Sequence, residues 1–176
     1  MSDITLLDGS IGQELVKRST TPATNLWSTS VMIDHPDLVR GVHADYFAAG
    51  ATIASTNTYA VHRNRLARAG IEDRQADLIT TAVDQAILAR DAHGSGRIAG
   101  TMGPLLATYR PDLSPDVGLA SEGFAEMIKL LGDRVDLLLA EAVCSLQEAE
   151  GIFQGYVASA SDKPLWISFS VDDQDG

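Results

Sequence analysis

Two carboxylates stand out because each follows an apolar run. Asp8 closes "ITLL" and opens "DGSIGQEL", and Glu141 closes "VDLLLA". A carboxylate just past the end of a buried parallel strand lies on the face where α/β proteins bind ligands. Two such groups can converge on one ligand ammonium, or on each other. Each also has a plainer reading. Asp8 could simply start a turn into a helix. Glu141 could supply favourable charge to a helix beginning near Ser145, worth about 0.3–1 kcal/mol through the dipole. The stretch "STNTY", Ser55 to Tyr59, adds hydroxyl and amide groups at another strand end. Its threonines are also good strand formers, whereas Asn57 offers both a donor and an acceptor to a ligand.

Other chemistries lack their residues. "DGSIGQEL" has neither the lysine and hydroxyl of G-x-x-x-x-G-K-[ST] nor the spacing of G-x-G-x-x-G, which argues against a nucleotide phosphate loop. His35, His43, His62 and His93 make no H-x-x-x-H or H-E-x-x-H pair, and His43 reads as a helix-face residue. Cys144 is the single cysteine, too few for a thiolate cluster. No G-x-S-x-G elbow supports a serine nucleophile. The terminal "DDQDG" has a faint EF-hand look without flanking helices, and reads as a loop.

These residues need a scaffold, and the periodicity describes one. Residues 4–7 read as a buried strand ended by Asp8-Gly9. Over 34–49, Asp34 is placed to cap a helix with Pro36 in its first turn. Leu38, Val42, Tyr46 and Ala49 form its stripe, and Gly50 is the C′ residue. "ATIASTNTY" is a second strand. A long helix over about 72–93 buries Ala76, Ile79, Val83, Ala86, Ile87 and Arg90 along its stripe and edge. "RIAGTMGP" is a third strand. A loop over about 105–120 leads to a helical stretch "EGFAEMIKLLGDR". "VDLLLAEA" is a fourth strand, "SLQEAEGIFQGYVAS" a helix, and "KPLWISFSV" a fifth strand. Alternating apolar strands and amphipathic helices predict an α/β fold with a parallel sheet, either doubly wound or a (β/α)8 barrel. A full barrel takes about 250 residues, so 176 residues hold about five of its units.

Composition sets outer limits. Apolar residues make up 45% and charged residues 21%, ordinary for a globular domain. With 24 acidic against 13 basic residues the formal charge is −11, which argues against nucleic acid or an anionic membrane as main partner. A lone cysteine permits no internal disulfide and suits a reducing compartment. The N-terminus shows no basic segment followed by a long apolar one, and no run reaches the length of a membrane span. The expectation is a soluble, cytoplasmic protein.

Taken in order, the motifs resemble the homocysteine S-methyltransferase family. "LLDGSIGQEL" resembles its DGGxGTEL opening. "LWS" at 26–28 and "HPDLVRGVHADYFAAGATIASTNTY" at 35–59 resemble its second block. "IAGTMGP" at 98–104, "VDLLLAEAVCSLQEAE" at 135–150 and "PLWISFSVDDQDG" at 164–176 resemble the turns and strands that follow.

The resemblance implies a (β/α)8 TIM barrel that transfers a methyl group to the thiol of homocysteine, giving methionine. Residues 1–176 would be its first five β/α units, with strands 6 to 8 absent and no activity expected from this portion alone. It implies Zn²⁺, held by cysteines expected beyond Gly176, because metal coordination turns a thiol of pKa about 8.5 into a thiolate nucleophile. By matching position, Asp8 and Glu141 would hold the ammonium of homocysteine. Thr56 and Asn57 would face the pocket, and Trp27 would lie against a small cationic methyl donor. Ala142 and Cys144 stand where the family has threonine and proline, so Cys144 aligns with no metal ligand. The partners implied are homocysteine and the donor, with self-association expected through the exposed edges of strands 1 and 5. Two alternatives remain: a non-catalytic amino-acid-binding fragment, and another TIM-barrel enzyme whose strand-end carboxylates move protons.

Overall fold

The computed structural model describes residues 4–20 and 24–174. Its centre is a parallel sheet of β1 (Ile53–Ser55), β2 (Arg97–Met102), β3 (Leu137–Val143) and β4 (Leu165–Phe169), each strand hydrogen-bonded to the next in chain order. The register places Ala54 beside Ile98, Gly100 beside Leu138 and Ala140 beside Ile167. A doubly wound sheet reverses its strand order at a switch point. No reversal occurs here.

The helices are α1 (Ile11–Arg18), α2 (Ser28–Asp34), α3 (Pro36–Ala48), α4 (Arg63–Ala67), α5 (Gln75–His93), α6 (Val117–Leu131) and α7 (Leu146–Ser159). Side chains cap the starts of α6 and α7: Asp116 accepts from the Leu119 N–H at 2.9 Å, and Ser145 from the Glu148 N–H at 3.0 Å. Such caps satisfy donors that the first helical turn leaves unpaired. Alternation along the strands then sends side chains to two faces. Ala54, Ile98, Met102, Leu138 and Ala140 pack with helix residues such as Met32, Phe47, Ile79, Phe124 and Leu131 in the main core. Ile53, Ala99, Leu137 and Leu139 face the other way and form a small buried cluster of strand residues alone. The helices therefore cover one face of the sheet.

Four expectations change. Residues 4–7 are not a buried strand: only Leu7 bridges to Ile53, and Ile4, at 83% exposed, Leu6 and Leu7 face solvent. An apolar run becomes a covered strand only when something packs on its far side, and here β1 supplies one neighbour. The stripe of α3 is rotated by about one residue, burying Val39, Val42, His43 and Phe47, because Phe47 stacks on His93 of α5 at 5.4 Å. His35 rather than Asp34 sits at the helix start, since Asp34 ends α2. The long helix begins with a tighter turn over Glu72–Arg74, leaving Ala76 exposed while Gln75, Leu78 and Ala82 go inside.

The last strand also has an outer edge, where Trp166, Phe169 and Val171 are exposed. No helix among the described residues is long and apolar enough to cross a membrane. Unpaired strand edges bearing apolar side chains template pairing with other chains. The chain should therefore self-associate, seen by sedimentation velocity as a weight-average mass that rises with concentration. A single monomeric species throughout would contradict this.

Candidate functional site

Asp8 lies where the N-terminal segment leaves β1. Its backbone N–H donates to Ile53 O at 3.1 Å. Its carboxylate accepts the Ser55 N–H at Oδ2 and the Ser55 hydroxyl at Oδ1, both at 2.7 Å. The side chain is 2% exposed, and burial pushes its pKa up to about 6 against the pull of the Ser55 donors. Behind it stands the imidazole of His43, its Nδ1 4.0 Å from Asp8 Oδ2.

Glu141 comes to the same place from β3. The register between β3 and β4 shifts between Ala140 and Val143, and Ala142 adopts φ 57°. A bulge with one residue in the left-handed region bends a strand end and re-aims the side chains beside it. The Glu141 carboxyl is pushed up to about 7, first by burial and then by the negative charge of Asp8. Glu141 thus lies within electrostatic reach of Asp8 near the C-terminal end of β3.

Aromatic rings form the next wall. Trp27, at φ 50° just before α2, meets Tyr59 edge-on with centroids 6.5 Å apart. The Tyr59 hydroxyl lies 3.2 Å from the Thr108 hydroxyl, and the Arg65 guanidinium stands 5.7 Å from the Tyr59 centroid. Two glycines of "DGSIGQEL" make this possible. A Cβ on Gly12 would come within 2.3 Å of the Trp27 ring, and one on Gly9 within 2.7 Å of the Tyr46 hydroxyl. These glycines seat aromatic rings rather than cradle a phosphate.

The hydroxyl-rich strand end divides. Thr56 does not present its hydroxyl to a pocket. It accepts the Thr101 N–H at 3.0 Å and lies 2.7 Å from the Thr58 hydroxyl, which itself donates to Thr101 O at 2.5 Å. Thr56 must then be the donor to Thr58, so both its roles are spent joining β1 to β2. Asn57 donates to Ser28 O at 3.3 Å and contacts the Met32 sulfur, with no partner among the described residues for its carbonyl oxygen. That oxygen remains an acceptor for a ligand.

Sequence reasoning missed Ser55 as the holder of Asp8, Tyr59 and Arg65 as part of the wall, and His43 as a buried neighbour. The spacing Val39, Val42, His43, Phe47 was the available signal for His43, since it traces an inner helical stripe. A cavity of about 710 Å³ lies elsewhere, between α4, residues 105–106 and α6, and includes neither carboxylate. Among the described residues no group of three or more His, Cys, Asp or Glu side chains is placed to hold a metal ion.

A parallel sheet whose strands follow chain order, with helices on one face, defines an α/β protein. The chain belongs to the homocysteine S-methyltransferase family, whose model matches residues 5–176. It is 32% identical to a homocysteine S-methyltransferase of Escherichia coli over 98% of this chain and 60% of that protein. It is 31% identical to the homocysteine S-methyltransferase YbgG of Bacillus subtilis over 96% of this chain and 59% of that one. Among solved structures, the metallated form of the E. coli homocysteine methyltransferase MmuM superposes with a TM-score of 0.86 at 32% identity, covering 98% of this chain and 65% of that chain. The chain therefore spans under two thirds of the length of these relatives.

Both acids bind protons more tightly in the folded state than at their ordinary values of 3.8 and 4.5. Their contribution to stability is therefore full below about pH 4 and is lost as pH rises through 6 to 7. Glu141→Gln should stabilise the fold at pH 8 by on the order of 1–3 kcal/mol and flatten the slope between pH 5 and 8, as measured by urea unfolding. An unchanged slope would show that Glu141 is not held against its charge. Gly12→Ala should destabilise by about 1–3 kcal/mol and shift Trp27 emission in a Trp166→Phe background. Unaltered emission would mean that the ring does not rest on Gly12.

Proposed function

We propose that residues 1–176 are the N-terminal part, about five β/α units, of a (β/α)8 barrel that transfers a methyl group from a small cationic donor to the thiol of homocysteine. Support for the barrel comes from sequential parallel strands, helices on one face, and likeness to the E. coli enzyme's structure. One observation carries the reading: Asp8, clamped to Ser55 at the end of β1, lies close enough to Glu141 of β3 for its charge to raise the Glu141 pKa. An isolated anion pair of this kind is stabilised by a cation between its members.

The amino-acid end of homocysteine supplies that cation. Burial raises both carboxyls, Asp8 to about 6 and Glu141 to about 7, so each holds its proton more tightly than a free carboxylate does. A ligand ammonium would draw both fully into the charged form. Asn57 would offer its carbonyl oxygen, which has no hydrogen-bond partner among the described residues. Trp27 and Tyr59 would face the positively charged donor, where ring faces favour a sulfonium or quaternary ammonium over a neutral group. Zinc belongs to the family resemblance, but the described residues provide no donor set that fits it.

A second reading rests on Glu141 alone. A carboxyl titrating near 7 is suited to accept or give a proton. Ligand binding separates the two. In isothermal titration with L-homocysteine under reducing conditions, the chain should bind it, and Asp8→Asn or Glu141→Gln should weaken binding about tenfold or more. Equal affinity in folded variants would remove the anchoring role and favour proton transfer.

A further inference from the structure

His43 is fully buried on the inner stripe of α3, and neither its Nδ1 nor its Nε2 has a hydrogen-bond partner among the described residues. A buried polar group without a partner calls for an explanation, because desolvation is not recovered. Asp8 Oδ2 lies 4.0 Å from Nδ1. We propose that His43 is the positioning residue for Asp8: its Nδ1–H closes on Oδ2 when Asp8 ionises, and so holds the carboxylate for a ligand cation. The ligand half of this statement rests on the homocysteine-anchor reading; the His43–Asp8 link does not.

The geometry selects the tautomer. A neutral imidazole carries one N–H and one lone pair. Burial pushes His43 down to about 4, so the ring is neutral near pH 7. An Nδ1 lone pair facing a carboxylate oxygen would repel it, whereas Nδ1–H attracts it. Asp8 has room for this donor. Ser55 provides one hydrogen bond to each oxygen, and a carboxylate oxygen accepts two. Closing from 4.0 Å to bonding distance needs a movement of about 1 Å, within reach of small side-chain rotations.

The surroundings leave few competitors. From β1, Ser55 faces Asp8 without charge, and from β3 Glu141 adds a negative charge. On α3 itself, Tyr46 turns its hydroxyl to Ser10 O at 3.5 Å. On α1, Glu14 pairs with Arg18, which also binds Asp45. Of these groups only Ser55 donates to Asp8, one hydrogen bond to each oxygen.

The test uses the ligand-free chain first. Nitrogen-15 NMR should show the Nδ1–H tautomer for His43, and the Asp8 carboxyl carbon should give its titration midpoint. His43→Phe should raise that midpoint by about half a unit or more. His43→Asn, whose amide nitrogen sits near the position of Nδ1, should return it toward the wild-type value. L-Homocysteine affinity at pH 7 should fall on the order of tenfold in His43→Phe and be largely restored in His43→Asn. An Nε2–H tautomer, or an identical Asp8 midpoint in folded His43→Phe, overturns the proposal. If His43→Phe fails to fold, the wild-type tautomer decides it. A wild-type chain that ignores homocysteine sinks the anchor reading, while the Asp8 titration still decides the role of His43.

Discussion

The clamp between Asp8 and Ser55 is the interaction on which the site depends. The N-terminal segment joins the sheet through a single bridge at Leu7 and two flanking backbone bonds, from Thr52 N to Leu6 O and from Asp8 N to Ile53 O. That is a thin attachment for a residue meant to stay in place. The carboxylate adds two bonds of 2.7 Å to Ser55, and so fixes both the register of the segment and the direction of its own side chain. The same burial that makes those bonds strong disfavours the charge. Asp8 is therefore held near the balance between its protonated and ionised forms, a state that a neighbouring cation can resolve.

Strain collects around this point. Among the described residues, four non-glycine residues have positive φ; Trp27 stands just before α2 and Ala142 at the bulge near the end of β3. Unusual backbone conformations persist where the surrounding packing over-determines them, and they cluster where a chain must aim particular side chains. Ala142 follows Glu141 at the bulge, and Trp27 places its ring against the Cα of Gly12. Both loops of the candidate site are thus shaped by contacts that run across the chain rather than along it.

Much of this was legible beforehand because strand ends are marked in sequence. An apolar run stopped by a carboxylate locates Asp8 and Glu141 on one face once the strands are known to be parallel. Thr56 was misread because nothing local reveals that a neighbouring strand will present Thr101 N–H and Thr58 to the same hydroxyl. His43 was misread because Leu38, Val42 and Tyr46 make an equally good helical stripe. The packing of Val39, Val42 and Phe47 into the main core sets the face of the helix on which His43 goes inside. Residues 4–7 read as buried because their composition is apolar. Burial, however, belongs to what packs against a strand, and their outer side is open.

The sequence by itself determined the alternation of strands and helices and the parallel sheet, which follow from periodicity, and its motifs in order pointed to the family. Periodicity and short motifs are local properties. The tertiary structure alone decided which polar groups are spent on the framework and which stay free, why Gly9 and Gly12 carry no side chain, and what stands behind Asp8. Each of these is settled by atoms distant in the chain meeting within a few ångströms, and no local pattern encodes that meeting.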